Sequence, residues 1–159
     1  MNSDSMLKTV LWGVILLDKM LENLEKLCGK EYTFSFRVID DSQIWAEENK
    51  LEKINVLSTS ALIEEIHKCA YKIIEENIMN PDFISVVSET SLKHISFTPA
   101  GFNCFIKIKA DETDENQVYF SGEVFDETEK VAEFKIKRVI VSYNSLKRKV
   151  NNKLNKISK

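Results

Sequence analysis

The chain has 159 residues, 43% hydrophobic and 30% charged, the size and balance of one packed globular domain and too short for two. A formal net charge of −3 argues against a general nucleic-acid binder, and 4 Gly with 2 Pro leave little room for a flexible linker. Cys28, Cys69 and Cys104 are odd in number, widely spaced and without a CxxC pair. Neither a disulfide framework nor a zinc site is expected, and the thiols fit a reduced, cytoplasmic protein.

Leu7, Val10, Val14, Leu17, Leu21, Leu24 and Cys28 recur at threes and fours, and Leu11, Ile15, Met20 and Leu27 widen the stripe. The spacing predicts an amphipathic helix within residues 1–29. Its apolar run from Val10 to Leu17 has the look of a signal-peptide core, but no small-x-small cleavage site follows. Asp18 and Lys19 end the run too early for a membrane span. A stripe this broad must be buried, either on its own domain or in an oligomer or docking contact. Asp18, Glu22 and Glu25 on the polar face speak against a membrane surface.

Gly29 suits a helix C-cap, and Tyr32 to Val38 alternates as a half-buried strand until Asp40-Asp41-Ser42 breaks it. Residues 44–54 are charged and fit a short helix or a loop. Ser58-Thr59-Ser60 supplies N-cap chemistry for a helix whose apolar face is Leu62, Ile63, Ile66, Cys69, Ala70, Ile73 and Ile74. Glu64 and Glu65 are expected in its first turn, where they would favour the dipole, and Asn80-Pro81 closes it.

Four strands follow. They are expected over Ile84–Ile95, Phe102–Ala110, Val118–Phe125 and Val131–Tyr143, with a polar turn over Asp111–Asn116 and a bend or bulge at Gly122. Residues 146–159 form a basic C-terminal helix or tail. Leu146, Val150, Leu154 and Ile157 at helical spacing favour a short docking helix over a phosphate-attracting tail. The order predicts an α+β domain, an antiparallel sheet of about five strands wrapped around one central helix. Sheet edges in so small a domain call for a homodimer or higher homo-oligomer.

Two segments carry a family resemblance. Val56-Leu57-Ser58-Thr59-Ser60-Ala61-Leu62-Ile63-Glu64-Glu65-Ile66-His67-Lys68-Cys69-Ala70 resembles the start of the central helix in fluoroacetyl-CoA-thioesterase-like hotdog proteins. Ser91-Leu92-Lys93-His94-Ile95-Ser96-Phe97-Thr98-Pro99-Ala100-Gly101 is similar to that family's strand end, a His followed by Thr-Pro-x-Gly. The resemblance covers roughly residues 30–145 and implies a hotdog fold. The family's catalytic set is a Thr at the helix start, a Glu eight positions into the helix and the strand His. Thr59 and His94 match the first and last, but the Glu position is His67, and the family's Gly-Thr in the preceding strand is Val87-Ser88.

Thioester hydrolysis needs an activated nucleophile or water, an oxyanion site and a way to release the thiolate. The helix N-terminus at Thr59 and Ser60 offers free amide N–H groups for the oxyanion. His94 is a candidate base. Thr59 is a candidate nucleophile or water-orienting group, with helix capping as its competing role. His67 cannot replace the negative charge of a carboxylate. It acts as an alternative base, or Glu64 or Glu65 substitutes, or catalysis is lost. His67 also lies on the stripe of Ile63, Ala70 and Ile74, where a structural histidine is common.

The expected function is an acyl-CoA thioesterase-like protein that hydrolyses or binds a small acyl thioester at a dimer-interface pocket. The alternatives are a non-catalytic acyl-CoA-binding module and a structural dimer acting through its N-terminal helix. No cofactor is expected beyond CoA as part of the substrate. No metal is expected either, since a His–His pair lacks a third ligand. Neither nucleic acid nor membrane is expected as a partner.

Overall fold

The computed structural model describes residues 17–39, 54–78 and 80–157. The early part of the N-terminal stripe, Leu7 to Ile15, and most of the charged stretch 44–54 lie outside the described residues.

Residues 17–25 are helical (α1) and run through a turn to Gly29, whose φ of 80° is the left-handed conformation that ends a helix. Met20, Leu24 and Leu27 are buried in the same core as the sheet, so the described part of this stripe packs on its own domain. The Gly29 N–H donates to the Ala110 carbonyl at 2.8 Å and starts β1 (Glu31–Arg37) along its neighbour.

The long helix α2 (Thr59–Ile78) follows, then β2 (Phe83–His94), β3 (Asn103–Asp114), β4 (Gln117–Phe125), β5 (Lys130–Ser142) and α3 (Tyr143–Ile157). The five strands form one antiparallel sheet in the order β1-β3-β4-β5-β2. Because β1 and β2 occupy opposite edges, the chain between them must cross the whole sheet. At about 4.8 Å per strand that crossing is about 19 Å, within the ~30 Å length of a 20-residue helix. α2 lays Leu62, Ile66, Cys69, Ala70, Ile73 and Ile74 on the sheet. Cys104, Ile106 and Ile108 of β3, Val118, Phe120 and Val124 of β4 and Phe134, Ile136 and Ile140 of β5 are buried from the other side. This is the wrapped-helix arrangement that the pattern predicts.

Several boundaries differ from expectation for identifiable reasons. The polar stretch 111–116 is not a turn. β3 absorbs Asp111 in a bulge and continues to Asp114, leaving Glu115 and Asn116 as the turn, with Glu115 at φ 51°. Cross-strand pairing thus overrides polar composition, because Asp111, Glu112 and Asp114 keep their side chains exposed while the backbone stays extended. Glu64 and Glu65 fall beyond the first turn of α2, and both pair with Lys68 at 3.0 and 2.9 Å.

Gly122 is not a bulge. It sits in register between Ile108 and Phe134, and a Cβ there would overlap the Phe134 ring and the Lys107 carbonyl. Glycine lets the ring lie across β4 and close the core. Gly122→Ala is therefore expected to cost about 1–3 kcal/mol by overpacking. Urea denaturation checks this, and Phe134→Leu in the Gly122→Ala background should recover part of the loss.

Candidate functional site

The start of α2 and the end of β2 meet through the Thr98–Gly101 motif. The Leu57 N–H donates to the Thr98 carbonyl at 2.9 Å, the Ala100 N–H donates to the Asn55 carbonyl at 2.8 Å, and Val56 bridges Pro99. Thr98 is fully buried, and its hydroxyl donates to Asp126 at 3.3 Å. Burial works against the Asp126 charge, but donation from the Thr128 N–H and hydroxyl, the Glu129 N–H and Thr98 holds the carboxyl below its usual range.

Ser58, not Thr59, caps α2. Its Oγ accepts the Ala61 N–H at 3.1 Å, and the first helical bond runs from the Leu62 N–H to the Ser58 carbonyl at 3.1 Å. Thr59 is thereby freed from the capping role that its position suggested. Its Oγ1 lies 2.8 Å from His94 Nδ1. The amides of Thr59 and Ser60 precede the first helical bond and have no acceptor within the helix. Thr59, Ser60 and His94 line a groove of about 650 Å³ with Leu57, Ile95 and the exposed Phe97.

Burial lowers the His94 pKa, with the Ser96 backbone pulling the other way, so the ring is neutral at neutral pH. Its Nε2 is buried without a hydrogen-bond partner among the described residues. A neutral imidazole with Nδ1 on a hydroxyl can accept that hydroxyl's proton, which is the arrangement nucleophilic or base catalysis requires.

His67 does not join this pair. It stands eight residues beyond Thr59, about 12 Å along the helix, and its Nε2 lies 2.8 Å from Thr90 Oγ1. Burial, and then the charge of Arg138, lower its pKa. Glu64 and Glu65 both pair with Lys68, and neither lines the groove of Thr59 and His94. Val87-Ser88 marks a bulge in β2, where the Ser88 hydroxyl donates to the Lys137 carbonyl at 3.3 Å. Burial pushes the Cys69 and Cys104 thiols up to about 12 and about 11, which makes both poor nucleophiles. No three His, Cys, Asp or Glu side chains among the described residues gather as a metal site would need.

Arg138 escaped the sequence reading. It is 5% exposed, donates from Nε to Ser85 Oγ at 2.6 Å, from Nη2 to the Ser85 carbonyl at 3.0 Å and from Nη1 to the His67 carbonyl at 3.3 Å, and lies over the Tyr71 ring. A signal was present, because Arg138 interrupts the otherwise apolar inward positions Phe134, Ile136 and Ile140 of β5.

The family of fluoroacetyl-CoA-specific thioesterases matches residues 38–144. A hot-dog-like protein from Thermanaerovibrio acidaminovorans superposes with a TM-score of 0.73 at 21% identity, over 82% of this chain and 96% of that one. A thioesterase superfamily member from Thermus thermophilus gives 0.73 at 15% identity, over 82% and 95%. The fluoroacetyl-CoA thioesterase FlK gives 0.69 at 14% identity, over 79% and 96%. A mutant of that enzyme has been solved in complex with fluoroacetate and CoA. No curated protein matches the chain. The chain, with its five-stranded sheet around α2, is a hotdog-fold protein and belongs to the fluoroacetyl-CoA-specific thioesterase family.

Proposed function

We propose that the protein hydrolyses a small acyl-CoA thioester, with Thr59 and His94 as its working pair. The observation that carries this reading is the 2.8 Å contact between Thr59 Oγ1 and the Nδ1 of a neutral histidine at the mouth of a groove. In the proposed reaction His94 takes the hydroxyl proton as Thr59 Oγ1 attacks the thioester carbon. The free amides at the start of α2 hold the oxyanion while it forms. The C–S bond then breaks, and the imidazolium returns the proton to the CoA thiolate. Water, deprotonated by His94, cleaves the acyl–threonine ester and restores the hydroxyl. His67 has no step in this sequence. The apolar lining from Leu57, Ile95 and Phe97 suits a small uncharged acyl group.

The functional unit is a homodimer. β2 is a 12-residue edge strand that pairs on one side with β5 and exposes Val87 in its middle. An edge of that length is normally covered. Light scattering should give twice the 18.4 kDa of one chain, and a monomer would reject this part of the reading.

A second reading, a binding module without turnover, is favoured by the absent carboxylate and by His94 Nε2, which has no carboxylate partner among the described residues. Acyl-CoA hydrolysis separates the two. His94→Ala and Thr59→Ala should each lower kcat/KM by about 10²–10⁴-fold. An inert wild type that is nonetheless thermally stabilised by acyl-CoA overturns the enzyme reading in favour of the module.

The pH dependence follows from the direction of the His94 shift. With its pKa held below 6.5 by burial, the base is already neutral at pH 7. The plot of kcat/KM against pH should therefore be flat near neutrality, with its acid limb falling below pH 6.5.

A further inference from the structure

We propose that α3 is a docking surface for an anionic phospholipid bilayer. The helix carries Lys147, Arg148, Lys149, Lys153 and Lys156 and no Asp or Glu, although the whole chain has a net charge of −3. None of its 15 residues is buried. At about 100° per residue, Tyr143, Leu146, Val150, Leu154 and Ile157 fall within an arc of about 80°, with Lys147 and Lys153 on its two flanks. Leu146 is half-buried and lines one groove with Leu17, Met20 and Leu21 of α1. Further along, Val150, Leu154 and Ile157 are 48%, 56% and 83% exposed.

The charge pattern selects the occupant. A second copy on this stripe would set two cationic helices side by side. A nucleic acid would satisfy the cations and leave the aliphatic stripe in water. An anionic bilayer takes both, with Val150, Leu154 and Ile157 entering the interface and the lysine stems reaching to the phosphates. The stripe is narrow and the helix mostly polar, so attachment is peripheral and reversible. No helix among the described residues is long and apolar enough to span a bilayer. This departs from the expectation of no membrane partner and from the preference for a docking helix over a phosphate-attracting tail at residues 146–159.

The test is co-sedimentation of the full chain with phosphatidylcholine vesicles prepared with and without phosphatidylglycerol. Binding is expected only with phosphatidylglycerol and should be released by salt. The double substitution Lys153→Glu/Lys156→Glu and the single Ile157→Asp should each weaken it at least about tenfold, with unchanged thermal melting. Equal binding to neutral vesicles, or none to either, overturns the proposal. Unaltered vesicle binding by Ile157→Asp, with equal retention on duplex DNA, would assign α3 to plain polyanion attraction. A fall in particle mass or melting temperature in Ile157→Asp would give the stripe to a second copy or to the chain's own core.

Discussion

The tie between residues 55–57 and 98–100 is the constraint on which the candidate site depends. Two backbone hydrogen bonds and the Val56–Pro99 bridge hold the start of α2 against the turn that leaves β2. Without that tie, a helix N-terminus and a strand end 35 residues apart have no reason to meet at hydrogen-bond distance. The tie is itself braced, because buried Thr98 is held by an Asp126 carboxylate that accepts four hydrogen bonds. The Thr-Pro-x-Gly segment thus acts through position. It sets where Thr59 and His94 stand.

A second constraint lies beneath the middle of α2. Arg138 is a buried cation held by neutral groups, namely the Ser85 hydroxyl and carbonyl, the His67 carbonyl and the Tyr71 ring. Removing such a charge from water is costly, and burial accordingly lowers the Arg138 pKa. The guanidinium links α2 to both β2 and β5, and its charge adds to burial in lowering the His67 pKa. Where the family carries a carboxylate, this chain has a neutral imidazole above a buried cation. That position therefore lacks the negative charge a carboxylate would supply.

Much of the architecture was legible in the residues. Alternation in β3 put Cys104, Ile106, Ile108 and Ala110 on the buried face, and the helical period of α2 identified its core residues, because periodicity is a direct consequence of one face being dry. Local chemistry was less reliable where two residues competed. Ser58 and Thr59 are both competent caps, and only the path of the chain into α2 decided that Ser58 takes the Ala61 amide. Asp111 to Asp114 look like a turn by composition, yet pairing with β4 keeps them extended. Gly122 suggested a bend because isolated strand glycines often mark one, whereas its actual role is steric and requires the position of the Phe134 ring.

By itself the sequence determined the class of fold, the residues of the core and the two histidines as the candidates for chemistry, since patterning and the scarcity of histidine are properties of the chain alone. Only the tertiary structure decided that the histidines part company, His94 with Thr59 and His67 with Thr90. Both histidines face the seam between α2 and β2. The helix advances about 1.5 Å per residue, so Thr59 and His67 stand about two turns apart, and the partner each meets across the seam depends on how β2 lies against α2. It also decided that no residue of α3 is buried and that Val150 and Ile157 stand 48% and 83% exposed, because how far an amphipathic face is covered depends on where the preceding strand ends in space.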